Sequence, residues 1–241
     1  MQSKEYQLMY QLEDQHWWFV AKRRYIQTYL SLISWPKSTR ILDIGCGTGR
    51  NLKLLSRYGQ AQGVDYSPQA IKFCQNRGLL IKKASADNLP FQSNSFNLVT
   101  LFDVLYHRGI KNDLKALKQA HRVLKSGGYL LLTDCAHQFL YGPHDQAQHA
   151  RQRYSKKELL EKASKAGFRL KRSSYIYCVT FPVFLIKRLV SKYLAKTDKS
   201  DVEPTPKIIN QLLISLLQLE AKALKYFNLP FGSSIMILAQ K

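Results

Sequence analysis

A short glycine-rich stretch between two apolar segments holds the residue types best suited to bind a nucleoside. Its three glycines alternate along the chain: Gly45, Gly47 and Gly49. Glycine permits a sharp backbone turn and lets a ligand approach the main chain closely. The next apolar segment ends in Asp65, roughly 20 residues beyond the first glycine, where a carboxylate can accept hydrogen bonds from ribose hydroxyls. Strand, glycine turn, helix, strand and acid together predict a βαβ nucleoside-binding unit.

A further acid before the turn, Asp43, narrows the choice of ligand. A dinucleotide-binding turn has the spacing G-x-G-x-x-G and directs a helix N-terminus at a pyrophosphate. Here the third glycine comes one position earlier, Arg50 follows it, and Asp43 would repel a pyrophosphate. An acid at this place suits a ligand that carries an ammonium or sulfonium charge. The pattern therefore disfavours an NAD-dependent oxidoreductase.

The run Asp43-x-Gly45-x-Gly47-x-Gly49 resembles the first motif of the class I S-adenosylmethionine (SAM) methyltransferases. The resemblance implies SAM as cofactor, with S-adenosylhomocysteine as its product. It also implies that Asp65 binds the ribose and that Asp87 receives the adenine amino group. The residues expected to bind SAM are Asp43, Gly45, Cys46, Gly47, Gly49, Asp65, Tyr66, Ala86, Asp87, Asn88 and Phe102. The four cysteines lack metal-ligand spacing, so no metal site is expected.

Two histidines are candidates for chemistry on the acceptor. A hydroxyl acceptor would require a general base near neutral pH, for which histidine is the usual choice. His144 is the first candidate, in the polar loop 134–154, and His107, after the fourth predicted strand, is the second. For each histidine, a structural or surface role is the alternative. Residues that could contact an anionic acceptor or orient His144 are Asp145, Arg151, Arg153 and Tyr154, and the resemblance implies an N-terminal lid, for which the candidates are Trp17, Trp18 and Arg23.

The order of predicted elements indicates an α/β fold with a Rossmann-like, seven-stranded, mostly parallel sheet and helices on both faces. Predicted strands cover 41–44, 61–64, 79–83, 95–102, 129–133, 170–180 and 232–241, and predicted helices cover 51–58, 67–77, 113–124, 155–167, 183–196 and 208–227. We expect a single methyltransferase domain. It consists of an N-terminal helical cap (1–36), a SAM-binding core (37–180), a helical insertion (181–231) and the last strand (232–241).

Four further segments resemble a bacterial branch of the type 11 methyltransferases. They are His-Trp-Trp-Phe at 16–19, His144-Asp145, Arg153-Tyr154 and Leu-Pro-Phe-Gly-Ser-Ser at 229–234. One departure is His149-Ala150, where the branch carries Gly-His before its Arg-Tyr pair, so a histidine role is not carried over to that place. The resemblance implies a reaction class and leaves open whether oxygen, nitrogen or carbon is methylated.

The chain of 241 residues has a formal net charge of +21, which favours anionic partners. The segment from Arg151 to Lys199 contains 14 Lys and Arg but only 3 Asp and Glu. The sequence has neither a signal-peptide pattern nor a run of 18 apolar residues, so we expect a cytoplasmic protein. The basic amphipathic helix predicted at 183–196 either packs its apolar face on the sheet or on the helix 208–227, or lies peripherally on an anionic membrane.

The sequence predicts methyl transfer to a small-molecule acceptor that is lipophilic or anionic, and two alternatives stay open. The first is an RNA or other nucleic-acid methyltransferase, which the charge favours. Against it, the sequence shows no zinc knuckle, and reads Phe-Asp-Val-Leu at 102–105 where base-methylating enzymes place Asn-Pro-Pro-Tyr. The second is a non-catalytic SAM-binding or membrane-surface module. The oligomeric state is open in every case.

Overall fold

The computed structural model describes residues 3–193 and 204–241, which form one seven-stranded sheet with helices packed on it. The strands are β1 (Arg40–Ile44), β2 (Gln60–Asp65), β3 (Ile81–Lys83), β4 (Phe96–Phe102), β5 (Leu124–Cys135), β6 (Arg169–Ile176) and β7 (Ser234–Gln240). The helices are α1 (Ser3–Leu12), α2 (Trp17–Leu30), α3 (Arg50–Leu55), α4 (Pro68–Asn76), α5 (Asp113–Val123), α6 (Pro143–Ala147), α7 (Lys156–Lys165), α8 (Phe181–Tyr193) and α9 (Lys207–Ala223), with a 3-10 turn at Gln138–Leu140.

The sheet has the strand order β3-β2-β1-β4-β5-β7-β6, with β7 antiparallel to both of its neighbours and the other pairs parallel. This confirms the predicted mostly parallel α/β fold. Strand β1 lies between β2 and the central strand β4, and its Ile41 is opposite Ala61 on β2 and Leu98 on β4. Because parallel strands end at the same edge, the glycine turn, Asp65 and Asp103 all meet there.

Alternate residues of the strands point to two cores on opposite faces of the sheet. Leu42 and Ile44 of β1 pack in the core that includes residues of α5 and α7. Ile41 packs in the other core, together with residues of α2, α3 and α9. Asp43 therefore points to the same face as Ile41, and it is 1% exposed. A carboxylate at this place is thus held inside the protein by the alternation of the strand.

Strand β5 is longer than the predicted strand 129–133, since it begins at Leu124 and includes Gly127 and Gly128. Gly127 has a φ of 74° and bends the chain. Its N–H donates to the carbonyl of Lys241 (3.2 Å), and the N–H of Lys241 donates to the carbonyl of Gly128 (2.9 Å). The end of the chain therefore supplies the hydrogen bonds that extend the strand.

The insertion buries only part of its apolar surface. The side chains of α9 that face the core are Leu217 and Ala221, followed by Leu224 just after the helix. Leu212, Leu216 and Leu219 of the same helix are exposed. In the sequence-based prediction the preceding helix ended at 196 and a linker covered 197–206; residues 194–203 lie outside the described part. No helix of the described residues is long and apolar enough to cross a membrane.

Glu220 joins α9 to α2 and to the start of α8, and its replacement should lower stability. Its carboxylate accepts hydrogen bonds from the Tyr25 hydroxyl (2.8 Å) and from the N–H groups of Cys178 (3.1 Å) and Val179 (2.9 Å). We predict that Glu220→Ala lowers the free energy of unfolding by about 3 kcal/mol, because buried donors lose their acceptor. Urea denaturation measures the change, with exposed Gln211→Ala on the same helix as the control. Equal losses in the two variants would contradict this role.

Candidate active site

The glycine turn between β1 and α3 is fixed by backbone conformation and by close packing. Gly45, Gly47 and Gly49 have φ values of 69°, 55° and 82°, in the left-handed region that favours glycine. A Cβ on Gly45 would lie 2.6 Å from the Val104 side chain, and one on Gly49 would lie 2.6 Å from Leu79. Gly45 and Gly47 line the cavity described below, whereas Gly49 caps α3 away from it. The turn thus needs glycine at Gly49 for packing and not for ligand contact.

Asp65 holds the glycine turn and also faces the cavity. One carboxylate oxygen accepts from the N–H of Gly47 (2.9 Å), and the other accepts from the N–H of Ser67 (2.9 Å). Burial raises the pKa of Asp65, and these backbone donors oppose the rise. Each carboxylate oxygen can accept a second hydrogen bond. The pair of oxygens therefore fits the two vicinal hydroxyls of a ribose.

Asp43 lies beneath the turn, outside the cavity wall. Thr100 donates to one carboxylate oxygen (2.6 Å), while the other oxygen is buried and has no hydrogen-bond partner among the described residues. Burial raises the pKa of Asp43 to about 7. A cationic group above the turn would stabilise the ionised form. An ammonium-bearing cofactor such as SAM fits a buried carboxylate of this kind.

The loop after β3 forms the wall next to Asp65. Asp87 and Ala86 line the cavity, and the Ser85 hydroxyl donates to one oxygen of Asp87 (2.6 Å). Tyr66 stands at the same wall and is 72% exposed. Asn88, expected from the resemblance to bind SAM, is exposed and lies outside the cavity. Asp87 thus keeps an oxygen for an amino group, as the adenine assignment requires.

A cavity of about 860 Å³ extends from these residues along the carboxyl edge of the sheet. Helix α1 forms part of its wall through Tyr6 and Met9, and Glu13, directly after the helix, lines it as well. Glu13 is 3% exposed, accepts a hydrogen bond from the Thr48 hydroxyl (2.6 Å) and forms an ion pair with Arg77. The helix is therefore fastened to the glycine turn by a buried carboxylate, a contact that the sequence analysis did not anticipate.

Helix α2 contributes to the other half of the cavity. Trp18 and Arg23 line it, as expected for lid residues. Trp17 does not: it packs against the core that contains α2 and α9, and its N–H donates to the Asn210 side chain (2.8 Å). The adjacent tryptophans therefore have separate roles, one at the cavity and one at the contact with α9. Phe102, at the end of β4, also lines the cavity.

A buried ion pair between Lys22 of α2 and Asp103 lies at the wall of this second half. The Lys22 ammonium is 4.3 Å from the centre of the Trp18 ring. The Thr133 hydroxyl donates to the other oxygen of Asp103 (3.0 Å), and Asp103 has a φ of 57°, rare for a residue with a side chain. Burial lowers the pKa of Lys22 to about 8. The ion pair is thus held at the cavity by the Thr133 hydrogen bond, by the Trp18 ring and by low solvent access.

Sequence reasoning missed this pair for two different reasons. Lys22 belongs to a run of basic residues that is equally typical of an exposed helix face. Asp103 had a usable indication, because it directly follows a predicted parallel strand, and ligands bind at such strand ends. What the sequence does not show is that a helix more than 70 positions earlier places its lysine at that strand end.

Both candidate histidines line the cavity, but their environments differ. The Nδ1 atom of His107 accepts a hydrogen bond from the Gly109 N–H (3.1 Å), and burial lowers the pKa of His107 to about 4. A neutral ring with Nδ1 as acceptor carries its proton on Nε2. His107 therefore suits hydrogen-bond donation better than proton abstraction. His144, on α6, remains the first candidate for a general base.

The four other candidate residues of the loop 134–154 are engaged in structural contacts, which corrects the expectation that they face an acceptor. Arg153 donates to both oxygens of Asp145 (2.8 and 3.1 Å), and both residues are buried. Arg151 is paired with Asp113, and the Tyr154 hydroxyl donates to the carbonyl of Leu105 (2.9 Å). None of these four loop residues lines the cavity. Together they fasten the loop that carries His144.

Comparison with known proteins agrees with this geometry. The profile of a family described as "methyltransferase domain" matches residues 42–132. A probable tRNA methyltransferase 9B of Mus musculus is 32% identical over 44% of this chain and 26% of its own length. A demethylmenaquinone methyltransferase of Tropheryma whipplei is 30% identical over 52% of this chain and 51% of its own length. The chain thus spans about a quarter to a half of these curated relatives.

A solved structure resembles the whole chain. It is a SAM-dependent methyltransferase of Thermotoga maritima, described as a possible histamine N-methyltransferase, with a TM-score of 0.61 and 22% identity over 99% of this chain and 95% of that one. The fold is therefore that of the class I SAM-dependent methyltransferases. The match of residues 42–132 to a methyltransferase domain, together with this fold, supports a SAM-dependent methyltransferase with SAM as its cofactor.

Replacement of Asp65 should abolish most of the affinity for SAM. We predict that Asp65→Ala weakens binding roughly 100-fold, since about 3 kcal/mol of charge-assisted hydrogen bonding to the ribose is lost. Isothermal titration calorimetry with SAM measures the effect. The Kd of Asp65→Asn should lie between the Kd of Asp65→Ala and that of the original protein.

Exposed Glu161→Ala on α7 serves as the control, and thermal unfolding must show that each variant is folded. If folded Asp65→Ala binds SAM as tightly as the original protein does, the ribose assignment is wrong.

Proposed function

We propose that this protein transfers the methyl group of SAM to a small-molecule acceptor of lipophilic or anionic character. The observation that carries the proposal is the continuous cavity, which joins the SAM half at Asp65 and Asp87 to a second half at Lys22 and Asp103. Its volume of about 860 Å³ lies within the range of pockets that enclose a cofactor or drug-sized ligand.

The character of the acceptor follows from the second half of the cavity. Aromatic side chains of Trp18, Phe19 and Tyr106 supply apolar surface there. Lys22, Arg23 and Lys111 supply positive charge at the same cavity. An acceptor with an apolar body and a polar or anionic group would match both features.

The residues of the cavity have separate tasks in this proposal. SAM, when bound, supplies a methyl group already activated by its sulfonium, so the protein must mainly align the acceptor and exclude water. Helices α1 and α2 exclude water, and the pair Lys22–Asp103 orients the polar group of the acceptor. If that group is a hydroxyl, His144 takes its proton as the new bond to carbon forms.

A nucleic-acid acceptor is the second candidate function. The observations in its favour are the net charge of +21 and the relatives whose names refer to tRNA. Against it, α1 is fastened over the SAM half by Glu13, and a buried ion pair lies in the second half. These features fit a small acceptor better than a polynucleotide.

For its location, we propose that the protein makes peripheral contact with an anionic membrane surface. The net charge of +21 supports this proposal, because anionic lipid attracts clusters of Lys and Arg. A lipophilic acceptor would then be collected at the bilayer. A non-catalytic module at a membrane is the remaining alternative, and it would bind SAM without turnover.

Label transfer distinguishes these candidates. The protein is incubated with SAM that carries a tritiated methyl group, together with a cell extract separated into solvent-extractable molecules, water-soluble small molecules and RNA. We expect label in a small-molecule fraction, unaffected by nuclease. Nuclease-sensitive label in RNA would instead establish the nucleic-acid function, and SAM binding without label in any fraction would indicate a non-catalytic module.

The role of His144 is tested with the fraction that accepts label. We predict that His144→Ala lowers turnover about 100-fold, as expected for loss of a general base, while the Kd for SAM changes little. His121→Ala, on α5 outside the cavity, is the control. Unchanged turnover in His144→Ala would indicate that His144 has a structural role and is not the general base.

A further inference from the structure

Helix α8 exposes an apolar stripe to solvent. Val183, Ile186 and Val190 are 72%, 62% and 47% exposed. Their spacing of three and four positions places them on one face of the helix. Nothing among the described residues covers this face.

Helix α9 exposes a second and longer stripe. Ile208, Leu212 and Leu219 are 85%, 58% and 62% exposed, and Leu216 lies between them at 37%. The helix is already anchored through its other face, where the Thr28 hydroxyl of α2 donates to the carbonyl of Ala221 (2.9 Å). The exposed stripe is therefore additional to the face that the fold uses.

The two helices adjoin each other at Glu220. Its carboxylate accepts from the N–H groups of Cys178 and Val179, immediately before α8 begins. Three exposed aromatic side chains follow α9: Tyr226, Phe227 and Phe231. The Phe231 ring lies 5.7 Å from the ring of Phe181, the first residue of α8. We call the exposed residues of α8 and α9, with these aromatics, the α8–α9 surface.

The charge around this surface has one sign. Between Phe181 and Phe231 the described residues include six Lys and Arg and one acid, Glu220, which is buried. Lys207 and Lys222 of α9 are exposed, and Lys222 follows Leu219 by three positions, on the same side of the helix. Arg188 does not belong to the surface, because it is buried and pairs with Asp145 (3.7 Å).

We infer that the α8–α9 surface docks on an anionic lipid bilayer. Interfacial helices combine an apolar stripe, which enters the boundary between headgroups and acyl chains, with cations that contact anionic headgroups. A second copy of the chain would bring an equally basic surface and would be repelled. An RNA would match the cations and leave the isoleucines and leucines in water. The bilayer is the occupant that matches both features.

Docking there would bring the acceptor half of the cavity close to the lipid. Arg188 of α8 holds Asp145 on α6, next to cavity-lining His144. Asn210 of α9 accepts from the N–H of Trp17 at the start of α2, next to cavity-lining Trp18. A lipophilic acceptor could pass from the bilayer to the cavity along either wall, a step that rests on the proposed function.

Liposome flotation of the full chain tests the docking surface without reference to turnover. The vesicles contain phosphatidylcholine alone or an equimolar mixture of phosphatidylcholine and phosphatidylglycerol. We expect flotation only with the anionic vesicles. The double variants Ile186→Asp/Leu212→Asp and Lys207→Glu/Lys222→Glu should each reduce binding roughly tenfold or more.

Matched controls make the same chemical changes elsewhere. Leu80→Asp alters an exposed leucine (73%) beside β3 at the far edge of the sheet, and Lys53→Glu alters an exposed lysine on α3. Both controls should bind vesicles as the original protein does.

Three results would overturn the inference: no binding to anionic vesicles at low salt, binding that both double variants retain, or a dimer in light scattering that Ile186→Asp/Leu212→Asp dissolves. Calorimetry with SAM on the same preparations separates a failure of docking from a failure of the proposed function.

Discussion

The structure depends on one backbone constraint, the turn from β1 into α3. Only glycine fits at Gly45 and Gly49, because a Cβ there would meet Val104 or Leu79 within 2.6 Å while the backbone keeps a left-handed conformation. The turn presents the Gly47 N–H to Asp65, and Thr48 donates to Glu13, directly after α1. One turn therefore joins β1, the acid at the end of β2 and the helix that covers the cavity.

The parts of the fold that the sequence could predict are those set by local pattern. One βαβ unit contains the alternating glycines, the acid before them and Asp65 after them. Their spacing in the sequence alone therefore predicts that they lie close together. The strands could be located from short apolar runs, although the extension of β5 needed hydrogen bonds from Lys241, which only the folded chain supplies. The SAM half of the cavity could be predicted from the sequence, because most of its residues belong to this one βαβ unit.

The second half of the cavity could not be predicted, because long-range packing decides it. Lys22 and Asp103 are 81 positions apart in the sequence, and nothing in either segment marks the other as its partner. The loop residues Arg151 and Arg153 have a composition suited to bind an anion, yet buried carboxylates engage them. In α9 the apolar pattern indicated a helix correctly and left open which face packs, since the helix has apolar residues on more than one side.

A crystal structure with S-adenosylhomocysteine bound would show whether one cavity places the cofactor against an acceptor half built by α2, the end of β4 and α6. We expect the ribose at Asp65, the adenine amino group at Asp87, and the sulfur directed toward the half that contains Lys22, Asp103 and His144. Density outside this cavity, or a sulfur directed away from that half, would contradict this arrangement.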